Sequence, residues 1–313
     1  MGASRLSRLS LLYFALLAAI PSALAGQASD TWRNVPRNSV TGSDEIVITG
    51  SRPSEGEIRE FIRDVTVETH DQIARFASPI CPASLGFPAA HNEFIEARLR
   101  QIADHLALGT GAPGCRPNVV VIVAEQAELF LQRLRQDRPE LFETLEPADI
   151  RRIMRLSGPS RAWHLVEPRG ADGRPMERIA YLDTGPNEPP RFIANGRRLT
   201  GVMPSLTQRS TRQDLAFGFV VIDLDEADGL TLLQIADHAA MRILARTSIK
   251  GLPARRSILT LFRDRQWDTT PADALTSWDG AYLRALYRAN PALSAHQQNS
   301  MVAQAMQQDL EGR

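Results

Sequence analysis

The sequence is short of lysine and of net charge. Lys250 is its only lysine, although lysine and arginine together number 36. Aspartate and glutamate also number 36, so the formal net charge is zero. A broad surface for nucleic acid or anionic lipid needs clustered excess basic charge, which this balance does not supply. Schiff-base chemistry would have a single candidate side chain.

Long hydrophobic runs are also scarce, and the clearest lies at the start of the chain. Leu11–Ile20 is continuously apolar, follows Arg5 and Arg8, and is followed by the small-residue site Ala23–Ala25. A basic start, a short apolar stretch and such a site are typical of a secretory signal peptide. The run is shorter than the ~20 residues that cross a bilayer. We expect residues 1–25 to be removed and the protein to be periplasmic, with no transmembrane segment.

Cysteine is limited to Cys81 and Cys115. An even number of cysteines in an exported protein suggests a disulfide. Free thiols or half of a metal site are the alternatives, but no histidine stands at zinc-finger spacing from either cysteine. The sequence therefore predicts a Cys81–Cys115 bridge.

The short catalytic motifs of several enzyme classes are missing. The sequence has no Gly-x-Ser-x-Gly, no P-loop and no His-Glu-x-x-His. A nucleophile-elbow hydrolase, a P-loop nucleotide hydrolase and a typical zincin each depend on one of these motifs. We therefore predict no catalytic residue and no cofactor, and favour a protein that is not an enzyme.

The pattern of apolar residues predicts an α+β protein. Helical periodicity covers the stretch that begins at residue 55 and the ranges 90–108, 226–246 and 278–287. Extended segments are predicted at 118–123, 162–166, 178–182, 191–193 and 215–224. Strands and helices are mixed without regular alternation, so we expect a single α+β domain over 55–313, with a possible sub-boundary near 157. Asn195-Gly196 predicts a tight hairpin turn.

An acidic cluster follows the strand predicted at 215–224 and consists of Asp223, Asp225, Glu226 and Asp228. It has some of the oxygen ligands that calcium prefers, but its spacing departs from an EF-hand loop by one residue and the closing acidic ligand is missing. Capping of the next helix is the alternative, since acidic residues stabilise the positive end of a helix. We favour capping.

The segment between the signal peptide and the folded body contains a second short motif. Its residues are Asp44, Glu45, Ile46, Val47, Ile48, Thr49 and Gly50. This motif resembles the TonB box near the mature N-terminus of TonB-dependent outer-membrane receptors. The resemblance implies that the segment binds TonB by adding a strand to it. We expect residues 26–54 to be flexible, because serine, glycine and asparagine surround the motif.

The C-terminal part resembles a family of exported bacterial proteins with a zincin-like, often degenerate metalloprotease fold. The matching segments are Leu233–Met241, Ser257–Leu259, Leu275–Asp279, Leu283–Tyr287 and Pro291–Leu293. Active zincins carry two histidines four residues apart on the corresponding helix. Here Asp237 and His238 are weak candidate metal ligands, and Met241 cannot replace a zinc-binding imidazole. The resemblance implies a shared fold without the catalysis.

Two hypotheses of function follow from the sequence. The first is an exported envelope protein with a binding or accessory role, which contacts TonB through residues 44–50. The second is a metal-dependent hydrolase of zincin type with an atypical ligand set.

Overall fold

A four-stranded mixed sheet lies at the centre of the computed structural model, which describes residues 53–143, 145–155, 158–183, 191–199, 208–248, 251–253, 255–267 and 269–312. The strands, in chain order, are β1 (Pro82–Leu85), β2 (Val119–Ala124), β3 (Ser160–Gly170), β4 (Glu177–Asp183), β5 (Arg191–Arg198) and β6 (Thr211–Asp223). The sheet has the order β1-β2-β6-β3, and only β3 is antiparallel to its neighbour. β4 and β5 form a separate antiparallel pair.

Apolar residues on both faces of the central strands explain why this sheet lies inside. Val119, Val121 and Val123 of β2 join one hydrophobic cluster, whereas Val120 and Ile122 join another on the opposite face. A strand that is buried on both faces has a continuous apolar run instead of an alternating one. Helices must therefore cover both faces of the sheet.

The helices divide between the two faces. One face packs against α1 (Glu55–Val65), α2 (Ala89–His105), α6 (Leu232–Leu244), α8 (Ser277–Arg288) and α9 (Ala295–Leu310). The other face packs against α3 (Ala127–Asp137), the 3-10 turn Pro139–Phe142 and α4 (Pro147–Arg155). The remaining short elements are α5 (Leu224–Ala227), the 3-10 turn Ile258–Thr260 and α7 (Leu261–Gln266). These helices and the mixed sheet form one compact body and confirm the α+β class.

Helix α6 is the most deeply buried helix segment near the sheet. It begins with a capping box, in which Thr231 accepts from the backbone of Gln234 and the Gln234 side chain accepts in return. This exchange satisfies two backbone donors that a helix start leaves unpaired. All residues of α6 except Leu233 and Arg242 are buried. The candidate residues Asp237 and His238 therefore lie within the protein interior.

Two details of the predicted secondary structure are wrong. The helix predicted over 226–246 is divided, because the chain leaves α5 at Asp228 and enters α6 only after Thr231. Gly229 between them has φ +74°, a backbone conformation that helices do not contain. Asn195-Gly196 lies within β5 and not in a hairpin turn, opposite an irregular point of β4.

The two cysteines form the predicted disulfide. The Cα atoms of Cys81 and Cys115 are 6.0 Å apart, and the described residues contain no free cysteine. The bridge joins the start of β1 to the loop before β2. Next to it, Asn118 accepts a hydrogen bond from the Cys81 backbone at 2.7 Å. The disulfide thus ties the start of the short edge strand β1 to the loop that enters its neighbour β2.

Several predictions concern residues that the structure does not describe. The signal peptide and the TonB-box-like segment 44–50 lie outside the described residues. Strands from both sides of position 157 pair within one sheet, and the sub-boundary there stays a prediction. Among the helices of the described residues, none combines the length and the apolar character that crossing a membrane requires.

Candidate functional site

Asp237, one of the two weak metal-ligand candidates, forms a buried ion pair. Its Oδ1 accepts from Arg98 Nε at 2.6 Å, and its Oδ2 accepts from Arg98 Nη2 at 3.0 Å. The backbone of Leu275 donates to Oδ2 at 2.7 Å. Both carboxylate oxygens of this fully buried side chain are therefore used in joining α2, α6 and the segment before α8.

His238 lies one residue further along α6 and is also engaged at both ring nitrogens. Nδ1 lies 3.1 Å from the carbonyl oxygen of Ile258, so Nδ1 carries the proton and donates it. Nε2 lies 3.0 Å from Ser160 Oγ and then accepts from this hydroxyl. Burial, with a smaller effect of Arg242, lowers the pKa of His238 to about 3, so the ring is neutral at neutral pH.

The other position of the zincin pattern also belongs to the core. Met241 is fully buried within the hydrophobic cluster around α6. Within the described ranges, no three side chains of histidine, cysteine, aspartate or glutamate gather as a metal site would require. The structure therefore gives Asp237 and His238 structural contacts and does not bring further ligands to them.

One residue of the acidic cluster, Asp223, caps helix starts, but the helix that the sequence analysis expected the cluster to cap begins as α6 with Thr231 as its N-cap. Asp223 accepts from the backbone of Asp225 at 3.2 Å, and this contact begins α5. Its second oxygen accepts from the backbone of Ala127 at 3.3 Å, at the start of α3. One carboxylate thus serves two helix starts at the carboxyl end of β6.

A cavity of about 50 Å³ lies beside edge strand β3. It is bounded by α4 on one side of the sheet edge and by the C-terminal end of α6 on the other. Its lining residues are Val67, Leu145, Asp149, Arg152, Ile153, Ala162, Trp163, His164, Arg242, Arg246 and Thr247. Space of this size holds a few water molecules or one small ion, since one water needs about 10–15 Å³.

The cavity is lined by three arginines and, among its described lining residues, by one carboxylate. Arg152 donates to this carboxylate, Asp149, at 2.8 Å, and both side chains are substantially exposed. Arg242 donates to the Thr247 carbonyl at 2.9 Å, and Arg246 donates to a threonine hydroxyl. Within the part of the chain that the structure describes, no carboxylate lies within 4.0 Å of Arg242 or Arg246.

The pKa values of these arginines indicate that the guanidinium groups influence one another. Burial, and then the charge of Arg152, lower the pKa of Arg242 to about 10. Burial also lowers the pKa of Arg246, with Asp149 acting in the opposite direction and Arg152 in the same one. Both groups remain protonated at neutral pH. The inner part of the cavity thus holds two positive charges. Among the described lining residues Asp149 is the one carboxylate, and its charge acts on Arg246.

His164 closes the cavity from the side of β3. Its Nε2 lies 2.8 Å from the Ile243 carbonyl, so Nε2 donates and Nδ1 is unprotonated. Burial lowers the pKa of His164 to about 3, the hydrogen bond to the Ile243 carbonyl acts in the opposite direction, and the charges of Arg246 and Arg242 contribute smaller lowering effects. The ring is neutral at neutral pH and adds no positive charge. The charges of Arg246 and Arg242 disfavour a proton on this ring, which agrees with a positive potential in the cavity.

Reasoning from sequence did not identify this site. Arg242 and Arg246 are four residues apart, but α6 ends at Leu244 and Ala245 is extended, so helical spacing does not relate these two arginines. Arg152 comes from a different helix on the opposite face of the sheet, and no local pattern relates it to the other two. The predicted partner-binding residues 44–50 are not described, so the structure brings no partner site to this cavity.

Comparison of the chain with protein-family models, with curated proteins and with solved structures finds no match.

Proposed function

We propose that this protein is an exported binding protein of the bacterial envelope that holds an anionic group in the arginine-lined cavity. One observation carries the proposal: Arg242 and Arg246 line a cavity and have no carboxylate partner within the described residues. The bonded Cys81–Cys115 pair supports export, because disulfides persist in oxidising compartments.

The energetics of buried charge favour an anion in this cavity. A charged side chain that leaves water loses several kcal/mol unless a partner compensates it. Arginine offers parallel N–H donors that match the oxygens of carboxylate or phosphate. The negative end of α6 offsets only about half a charge. An anion that bridges Arg242 and Arg246 would supply the remaining compensation.

Calorimetric titration of the purified protein with inorganic phosphate tests this function. We expect saturable binding to the wild type and its loss in Arg242→Met, which keeps the volume of the side chain stem. Arg133→Gln, on the exposed surface of α3, removes one positive charge elsewhere and should leave binding unchanged. Circular dichroism confirms that each variant is folded. Equal binding in wild type and Arg242→Met contradicts the proposal, and so does the absence of binding by inorganic phosphate and by each of the other anions sulfate, glycerol 3-phosphate and acetate.

A second interaction is favoured by the sequence of residues 44–50. We propose that this segment contacts TonB through an added strand, as its resemblance to a TonB box implies. A peptide of residues 40–54 should bind the periplasmic domain of TonB, and Val47→Pro should abolish binding because proline removes a backbone donor. Failure of the wild-type peptide to bind at high micromolar concentration would contradict the contact.

The alternative of a zincin-type hydrolase receives less support. It would require His238 to give up its bond to Ser160 or to Ile258, and Asp237 to leave Arg98. Elemental analysis separates the two hypotheses. One tightly held zinc per chain that is lost in His238→Ala would favour the hydrolase over the binding protein.

A further inference from the structure

We propose that the group bound in the arginine-lined cavity is a dianionic tetrahedral oxyanion of the phosphate class. This inference rests on the proposed function and specifies its ligand. It depends on the charge, the size and the access of the cavity.

The charge of the cavity favours a dianion over a monoanion. Among the described lining residues, Arg152, Arg242 and Arg246 are balanced only by Asp149. His164 contributes no charge, because its Nε2 proton is donated to the Ile243 carbonyl and its ring is neutral. About half a charge is offset by the negative end of α6. More than one excess positive charge remains, and a monoanion would leave part of it uncompensated in a partly buried place.

The size of the cavity limits what enters it. A volume of about 50 Å³ admits one tetrahedral oxyanion, whereas pockets for whole drug-sized ligands measure about 300–1,000 Å³. A larger molecule would therefore place only its charged end group inside. The rest of that molecule would remain outside, near the mouth of the cavity.

The exposure of the arginines indicates where this mouth lies. Arg152 has 57% of its side chain exposed, and its partner Asp149 has 34% exposed. Arg242 and Arg246 are only partly exposed and are held by threonine oxygens. The ligand would pass Arg152 at the rim and meet Arg242 and Arg246 inside. Arg152 is thus the residue that can be changed without disturbing the interior.

The test compares anions of different charge and shape by calorimetric titration at pH 7.5. The probes are sulfate, inorganic phosphate, glycerol 3-phosphate and acetate. We expect sulfate and at least one of the two phosphates to bind roughly tenfold or more tightly than acetate, since a hydrogen bond to a charged group is worth about that factor. Binding of inorganic phosphate alone identifies the free ion as the ligand, and binding of both phosphates identifies an end group of a larger molecule.

The dependence on pH distinguishes the dianion directly. A phosphate monoester has a second pKa near 6, so its dianionic fraction falls roughly fourfold between pH 7.5 and pH 5.5. Sulfate stays dianionic over this interval and corrects for any change in the protein. We expect the affinity for glycerol 3-phosphate, or for inorganic phosphate if it alone binds, to fall by a larger factor than the affinity for sulfate.

A variant at the exposed Arg152 separates loss of anion binding from loss of folding, because a change at this surface position does not disturb the core. Arg152→Gln should weaken sulfate binding roughly tenfold, and the exposed Arg133→Gln should not weaken it. Acetate that binds as tightly as sulfate, or a monoester whose affinity follows sulfate at both pH values, would overturn the dianion while leaving an anion site in place. Absence of binding by all four probes would contradict the proposed function itself.

Discussion

Arg98 of α2 and Asp237 of α6 form a two-point ion pair, with contacts of 2.6 and 3.0 Å between their four polar atoms. Asp237 is fully buried, and 19% of the Arg98 side chain is exposed. The pair joins two helices that cover the same face of the sheet. It also explains why an acidic residue is present in the centre of a helix that is almost wholly buried.

Arg98→Met should destabilise the protein strongly, because it leaves the Asp237 carboxylate buried without its partner. The expected loss in the free energy of unfolding is about 3–5 kcal/mol, measured by urea denaturation. Arg100→Met on the same helix is the control. Its ion pair with Glu96 is partly exposed, and its loss should cost at most about 1 kcal/mol. Equal effects of the two substitutions would show that the Asp237 pair contributes no more than a surface pair.

The buried His164 should make stability depend on pH. Its pKa falls from 6.5 to about 3 in the folded protein, chiefly through burial, so below pH 6.5 the unfolded chain takes up a proton that the folded protein does not. The folded protein therefore has its full stability from this group above pH 6.5, and loses stability relative to the unfolded chain as the pH falls toward 3. Between pH 7.5 and pH 5, the wild type should lose about 2 kcal/mol more than His164→Gln.

His296→Gln provides the control for this pH experiment, since His296 is exposed on α9. Its stability should follow the wild type at both pH values. Urea denaturation at each pH gives the comparison. Parallel losses of stability in the wild type and in His164→Gln would contradict the assignment of a buried, neutral His164.

Gly86 should not tolerate a side chain. Its φ is +105°, and an added Cβ would lie 1.9 Å from the carbonyl oxygen of Val123 in β2. Gly86→Ala should therefore lower the free energy of unfolding by at least about 2 kcal/mol, from backbone strain and displacement of β2. Gly158→Ala, where an added Cβ has no atom within 4 Å, should change stability little. Thermal unfolding of both variants checks the prediction, and a stable Gly86→Ala would refute the close approach.

Removal of the disulfide should destabilise the protein through the unfolded state. The bridge spans a sequence separation of 34, which corresponds to about 3–4 kcal/mol in the chain-entropy model. The variant with both Cys81→Ser and Cys115→Ser should lose this amount in urea denaturation. Reductant should reproduce the loss in the wild type and have no effect on the double variant. A reductant effect of equal size in both proteins would point to another cause.

The sequence was informative where structure depends on local pattern. The apolar run of β2 and the periodicity of α2 predicted elements close to those observed. A strand that is buried on both faces has a continuous apolar run, whereas a helix that is buried on one side has apolar residues at helical spacing. The cysteine count predicted the disulfide. The division between α5 and α6 was missed because the apolar periodicity continues across Gly229, whereas the backbone there turns.

The arginine-lined cavity could not be predicted, because it depends on tertiary contacts. Arg152 and Arg242 stand on helices that cover opposite faces of the sheet, and they meet only at the edge of β3. His238, a weak candidate metal ligand in the sequence, is buried, and its partners, Ser160 and Ile258, are distant in sequence. Long-range contacts of this kind leave no local signature in a single sequence.

The measurement that tests the anion site most directly is a crystal structure of the protein after soaking with selenate, recorded at the selenium absorption edge. Selenate is a tetrahedral dianion, and its anomalous signal distinguishes it from water and from sulfur. The account predicts a peak in the cavity within hydrogen-bond distance of Arg242 and Arg246, and no such peak in crystals of Arg242→Met. A cavity that holds only water at high selenate concentration, or selenate bound solely at other surface arginines, would contradict it.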